Sequence, residues 1–582
     1  MSQEIPSPPS SNGRRPLLLQ LLLPGLILAQ AAIVMALSIQ YDSIYNLDIF
    51  YHQFIRHELP GGFLAALLLL IGIFFGHRLA PNRVDHLLRF LGSHPAVAPI
   101  TLVSLCLGSY FVYHNHPLAM DEIVPLFQAK IFAEGRLTGL FPPEMVDWLV
   151  IKGFNNYFLK ASPITGEVVS IYWPGLALLL TPFVKLGLPW LLNPLLGTGT
   201  LLLIRHLANK LIPHPAAAGW AVLFTLASPV FGVYAISYYS MAAHLFLNLL
   251  YMALLLQGTR KHAFLAGLAG SLALVLHQPV PHLLFCLPWI VWLAWRRERW
   301  ALLLALIGGY LPLSLVVGYG WYWLRGTIPM PPPPGPLRLP STTEELSLAD
   351  LLIRQPLAIV AHTFSLPNAI SLRFRFMELL KLFTWALPGL PILALLAIRF
   401  IPKGSPLRLL TASALVTFAL FFFIPFSQGH GWGNRYFHSV WAILPLLGAL
   451  FLVEAEKRNP LWKPCLALLG LLSLLLGNGL RAYEVDQFLS EHLAQRPPVL
   501  SRDGERQITF LGLQGGYYMQ DLLINDPFLR DPVIYLPNRG ATANQALLAR
   551  QFPNMVFAGR YGLSTVYLDR NAALFRETSA KP

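Results

Sequence analysis

Charge is what this sequence has least of. Only 12% of its 582 residues are Asp, Glu, Lys or Arg, about half of the roughly 25% that a soluble domain carries. A chain so poor in charge cannot cover a large solvated surface. Cysteine is scarce as well: Cys106, Cys286 and Cys465 are the three, all within apolar runs, where thiols behave as small hydrophobes. They build neither a disulfide framework nor a zinc-ligand spacing. No Asp-x-Asp occurs, so the carboxylate pair that usually holds a metal-bound nucleotide sugar is missing. No Asn-x-Ser/Thr occurs either, which weakly fits a bacterial chain.

What the chain has instead is apolar length. Hydrophobic residues make up 55%, and runs of the roughly twenty residues needed to cross a bilayer recur from Pro16 to Leu480. The net charge of +14 does not point to nucleic acid. Arg14-Arg15, Arg78, Arg83, Arg89, Arg260-Lys261, Arg296-Arg297, Arg299, Lys403, Arg408 and Lys457-Arg458 sit in short links between apolar runs, the pattern of cytoplasmic loops that can also meet anionic lipid headgroups. The first run is too long for a signal peptide and lacks a clear small-residue cleavage site, so it reads as a retained helix.

These patterns predict an all-α polytopic membrane protein of about thirteen transmembrane helices with a small C-terminal α/β extramembrane domain. Residues 1–15 are polar, Pro/Ser-rich and expected to be a disordered cytoplasmic tail. Expected spans are 16–40, 61–77, 96–113, one net crossing for 174–204, then 215–231, 237–256, 263–279, 280–295, 300–323, 381–398, 406–426, 437–453 and 462–480. Positive-inside arithmetic places loops 114–173 and 325–380 on the outer face, the latter opening with the stiff proline tract 329–336. From 481 to 582 the character changes: QITFLGL, DPVIYL, NMVFAG and STVYLD read as strands between Gly/Asn/Asp/Pro turns.

Asp121 and Glu122, in HNHPLAMDE (114–122), follow an apolar span directly. Ionisable groups at a membrane boundary are costly to desolvate and mark a functional site by default. Both acids could equally cap the helix that follows, where negative charge at the N-terminus is favourable. His114 and His116 are two apart, a spacing that does not share a helix face; they read as interfacial polar residues. His244 and His277-Gln278 either line a cavity or hydrogen-bond a neighbouring helix. The tryptophans and tyrosines at span ends, Trp173 included, form an interfacial belt first.

Taken in order, the acidic pair, the step IYWPGLALLLTPF (171–183) and the late GWGNRY (431–436) resemble the GT-C superfamily of membrane glycosyltransferases over roughly residues 96–454. The closer likeness is to the protein O-mannosyltransferase and aminoarabinose (lipid A) transferase branch. Residues 16–95, with two extra N-terminal helices, precede this GT-C-like core of 96–480. Where that branch often shows Lys-Pro-Pro, this chain has Lys160-Ala-Ser-Pro163 and then Trp173-Pro174-Gly175, so the family's acceptor specificity does not carry over.

The resemblance implies an inverting transfer of a monosaccharide from a polyprenyl-phosphate donor to an acceptor hydroxyl on a glycan, lipid or protein. The setting would be the outer face of a bacterial cytoplasmic membrane, with the C-terminal domain on that side. Asp121 would be the base, with Glu122 beside it. Lys160 and Arg435 would hold the donor phosphate as cations suited to an oxyanion. Tyr172, Trp173, His430 and Trp432 would contact substrate. No metal or other cofactor is expected, the lipid-linked sugar being a co-substrate. Lys160 also fits an ordinary loop lysine, and Arg435 a side chain snorkelling to headgroups. Two competing readings are a transporter or flippase of lipid-linked sugars and a non-catalytic envelope-assembly protein. Against the transporter, no internal repeat is evident and most charges lie in links rather than mid-span.

Overall fold

The computed structural model describes residues 25–26, 28–36, 53–331, 364–425, 428–429, 431–502, 505–514 and 518–569. The expected tail 1–15, most of the proline tract and His430 lie outside them.

Apolar helices dominate, as the sequence predicts, but they are broken more often than the apolar runs suggest. Among the described residues four are long and apolar enough to cross a membrane: Arg56–Arg78, Pro189–Leu211, Arg297–Thr327 and Trp462–Leu493. The count becomes six if each of two bent pairs is one span. Other expected spans appear as shorter helices such as Gly175–Lys185, Met241–Leu255, Val280–Ala294 and Leu407–Phe421. The breaks fall at proline and glycine. Pro229 starts a new helix after Leu226, at 64° to the previous one, because proline lacks the amide that would continue the ladder. One helix ends at Thr384 and the next, Leu390–Ala397, starts after Gly389 at φ +80°, so the expected single span 381–398 is two pieces. Its first piece begins at Ala369, inside the stretch read as an outer loop.

Two other boundaries move. The link 78–94 is the amphipathic helix Pro81–Ser93, with Val84, Leu88 and Leu91 buried on one face and an 81° bend before Val97–Phe111. The change of character at Arg481 falls inside a helix, Asn478–Leu493.

Among the described residues seven strands build two sheets. β1 (Gly139–Leu140), β2 (Leu159–Ala161) and β3 (Glu167–Ser170) form an antiparallel sheet with β3 in the middle, within the segment 114–173. β4 (Gln507–Leu511), β5 (Val533–Pro537), β6 (Met555–Tyr561) and β7 (Ser564–Asp569) are ordered β5-β4-β7-β6. β4 and β5 run parallel and the other pairs antiparallel, and helix Ala541–Gln551 connects β5 to β6. All four segments read as strands contain one. The two sheets are not independent: Phe127, Phe141, Val146, Leu149 and Val168 share a buried core with Ile508, Phe510, Ile534 and Leu548.

The helical part is tied together by buried charge. Glu58 accepts from the Thr384 hydroxyl and the Trp385 indole, and lies 3.3 Å from Arg481 Nη2 and 3.9 Å from Lys381 Nζ. Arg481 also donates to Glu484 at 2.7 Å and to the carbonyls of His57 and Thr384. Removing one partner of such a buried set strands the others and costs about 3–5 kcal/mol. Arg481→Met should therefore lower the thermal midpoint of the detergent-purified protein sharply. Gly61→Ala should do the same, because a Cβ there would stand 2.1 Å from Arg481 Nη2. Unchanged midpoints in both variants would refute this role for the network.

Candidate active site

The chain leaves helix Val97–Phe111 through a tight turn in which His114 and Asn115 adopt φ of 52° and 50°. A new helix, Met120–Ala133, then starts just after Pro117. Asp121 and Glu122 occupy its first turn, about 100° apart around the axis at 3.6 residues per turn, and they face different surroundings. Glu122 points inward and is fully buried. It accepts from the amides of Leu118 (3.0 Å), Ala119 (3.3 Å) and Tyr238 (2.8 Å) and from the Tyr113 hydroxyl (3.0 Å). Asp121 points into a cavity and keeps 20% of its side chain exposed.

Two elements bring partners to Asp121. The first is the Trp-Pro-Gly step. Trp173, Gly175 and Leu176 donate backbone hydrogen bonds to the carbonyls of His277, Val275 and Leu276 at 3.3, 2.7 and 2.8 Å. A Cβ on Gly175 would lie 2.6 Å from the Val275 oxygen, so only glycine permits this approach. The contact lays Tyr172 over His277, ring centroids 3.9 Å apart. Tyr172 donates its hydroxyl to Asp121 Oδ1, and His277 Nε2 lies 3.9 Å from the same oxygen.

The second element is the link after helix Leu407–Phe421. Gln428 organises it: its side-chain oxygen accepts the Arg435 amide at 3.0 Å and its side-chain nitrogen donates to the Gly433 carbonyl at 2.9 Å. Glu378 accepts the Gln428 amide at 2.8 Å, and Lys381 donates to the Gly431 carbonyl at 3.1 Å. Thus fixed, Arg435 pairs through Nη2 with Asp121 Oδ2, donates Nη1 to the Gln428 carbonyl at 3.2 Å and lies 5.0 Å over the Tyr239 ring.

These contacts set the protonation state. Burial alone would push the Asp121 carboxyl up, but Arg435, His277 and the hydrogen bonds from Tyr172 and Arg435 outweigh it and hold the group down to about 2. For Glu122 burial wins over its hydrogen bonds and pushes it up to about 7. Burial and the Asp121 charge together hold the Tyr172 phenol protonated, so it can only donate to that carboxylate.

Asp121, Tyr172, His277, Gln278, Gln428 and Arg435 line one cavity of about 640 Å³. Four expected site residues lie away from that cavity. Glu122 is outside that cavity and clasps the turn. Lys160, half-buried on β2, does not reach it; its ammonium donates to the Arg325 carbonyl, and burial lowers its basicity. Trp432 is buried beneath the site with its indole 3.3 Å from the Tyr113 hydroxyl, and Trp173 packs toward Gly318 rather than into the cavity. His244 is buried outside the lining and His114 pairs with Asp486 at 2.7 Å. Residues missed by sequence reasoning are Tyr239, in the SYYS break between two helices, and the pair Tyr518 and Asp521, which the C-terminal unit contributes to the same cavity. The SYYS break was a visible signal for the first; nothing in GYYMQDLL marked the others. Among the described residues no three His, Cys, Asp or Glu side chains gather closely enough to hold a metal ion.

No protein-family model and no curated sequence matches the chain. Two solved structures are similar to it in outline over most of both chains. ArnT from Cupriavidus metallidurans bound to undecaprenyl phosphate is 15% identical with a TM-score of 0.49, over 81% of this chain and 97% of its own. The same protein in the apo state is 14% identical with a TM-score of 0.46, over 82% and 98%.

The two acids should separate cleanly. Glu122→Ala strands several buried donors, each costing about 1–3 kcal/mol, and should lower the thermal midpoint strongly. Asp121→Asn keeps the shape but leaves the nearly buried Arg435 guanidinium without its counter-charge, and should lower the midpoint less than Glu122→Ala does. Equal losses in the two variants would contradict the assignment.

Proposed function

We propose that this chain is a membrane glycosyltransferase that moves a monosaccharide from a polyprenyl-phosphate donor to an acceptor hydroxyl, with inversion, and that Asp121 is its base. The observation that carries this reading is the Asp121–Arg435 pair. It sets an ionised carboxylate and a guanidinium side by side on the wall of one large, aromatic-rich cavity. That is the minimum such a transfer needs: a proton acceptor for the nucleophile and fixed positive charge for the departing phosphate.

In this scheme the acceptor oxygen attacks the anomeric carbon while the carbon–oxygen bond to phosphate breaks. The bonding pair leaves on the polyprenyl phosphate, and the hydroxyl proton passes to Asp121. Tyr172 orients the carboxylate without competing for the proton, since its own phenol stays protonated. Arg435 has two tasks. In the empty site it neutralises Asp121; a donor phosphate beside it competes for the same guanidinium. Sharing that charge raises the proton affinity of Asp121, so the base gains strength as the donor arrives. Lys160, bound elsewhere, has no part in this scheme.

The deciding assay uses purified protein, a panel of polyprenyl-phosphate sugars and mass spectrometry of released polyprenyl phosphate. Wild type should release it in an acceptor-dependent way, and Asp121→Asn should lose at least about a hundredfold, the lower range for a general base. Full activity in that variant would sink the proposal, and sugar crossing the bilayer without bond cleavage would favour the transporter.

A pH profile tests the pairing. A carboxyl held down to about 2 stays charged on acidification until well below pH 5, so kcat/KM should show no acid limb from Asp121 between pH 5 and 8. Arg435→Gln removes the nearest positive charge and lets burial push the group up. An acid limb should then enter that window, on top of a lower rate.

A further inference from the structure

A second cavity, of about 230 Å³, lies behind the first, between helix Met120–Ala133 and the C-terminal unit. Its polar lining is His116, Lys130, Arg496, Asp521, Asn525 and Asp531, drawn from both sides of that contact. The transfer scheme uses none of them.

Arg496 is the anomaly. It follows helix Asn478–Leu493 with its backbone amide bonded to the Leu493 carbonyl at 3.1 Å. Its guanidinium is sheltered enough for burial to lower its basicity. Yet among the described residues it has no carboxylate partner, and its Nε has no hydrogen bond. Its one contact of charge type is the Tyr535 ring, 5.5 Å from the guanidinium carbon. Two neighbouring nitrogen groups are also unmatched. His116 Nε2 has no partner; burial, followed by the positive charge of Arg496, holds the ring down to about 3, so it offers a hydrogen bond rather than a charge. Lys130, half-buried, makes no ion pair among the described residues.

Acids do not cancel this excess. Asp521 accepts from the Met120 amide, and burial, followed by Asp121 and Glu122, holds its carboxyl well above the ordinary range, which disfavours its charged form. Asp531 is exposed at the rim. A sheltered cation without a counter-charge is strongly unfavourable, and a ligand anion is the simplest way to relieve it. Arginine with lysine beside it suits an oxyanion, the arginine in a bidentate fork and the lysine as a point charge.

We propose that this second cavity is an oxyanion-binding site, in which Arg496, Lys130 and His116 receive a phosphate or carboxylate group. Because Asp521 walls both cavities, an anion held here stands next to the site of the proposed transfer. A group attached to a substrate could reach from one chamber to the other. The site stands on its own charges and does not require the transfer reading.

The test is binding of inorganic phosphate to the full-length protein in detergent, read by phosphorus NMR line broadening. It is done in an Arg435→Gln background, so that the first cavity contributes least. Adding Arg496→Gln or Lys130→Gln should weaken binding by about tenfold or more, the worth of a charge-assisted hydrogen bond. Arg496→Lys should retain most of it, which guards against a variant that simply misfolds. Undiminished binding in Arg496→Gln, or no binding in the Arg435→Gln background, overturns the proposal. Nanodiscs containing phosphatidic acid give a second arm. Displacement of phosphate by them, and not by phosphatidylcholine nanodiscs, assigns the site to a lipid headgroup; retained binding assigns it to a water-borne or substrate-borne anion.

Discussion

An ionised carboxylate held away from bulk water must have its counter-charge in place, and the Asp121–Arg435 pair meets that constraint for the whole site. Arg435 can be there only because a short glycine-rich link is held rigid around Gln428, and the link is held in turn by Glu378 and Lys381 from one helix. Lys381 shares Glu58 with Arg481. The chain of buried charges thus runs from the cavity wall to helix Leu59–Phe75. The N-terminal helices, which the family resemblance left without a purpose, supply the acid that balances two cations behind the site.

Neighbouring acids in one helical turn have opposite fates here. Glu122 is a fastener: it gathers three amides and a phenol from segments far apart in sequence, which fixes where the turn at 113–119 ends and the helix begins. Asp121 owes its aim to that fastening. A carboxylate one residue away from a fully satisfied one can be left partly exposed, its backbone fixed by its neighbour and its side chain held by Tyr172 and Arg435.

The legible parts of this molecule are those governed by local rules. Apolar runs announced helices, β-branched and aromatic runs between turns announced all four C-terminal strands, and Asp121 and Arg435 stood out as charges beside apolar spans. What was not legible depends on long-range contact. Lys160 has the right chemistry and nearly the right place, but strand pairing turns its ammonium toward the Arg325 carbonyl. Trp432 sits within the motif that carries Arg435, yet it packs inward beneath the site while the arginine faces the cavity. Where the helices break was not legible either, because proline and glycine cut apolar runs into pieces that hydropathy alone joins. Asp521 and Arg496 lay in polar sequence with no motif, and only the docking of the C-terminal sheet gives them meaning.

That docking has a consequence in time. The apolar faces of Phe127, Val146 and Leu149 close against Ile508, Phe510 and Ile534, which leave the ribosome several hundred residues later. A nascent chain that has made every earlier helix still has an unfinished cavity wall, lacking Tyr518 and Asp521. The cavity therefore matures last, and a truncated product would lack the part of its wall that Tyr518 and Asp521 supply. Completeness of synthesis is built into this cavity as a condition of its assembly.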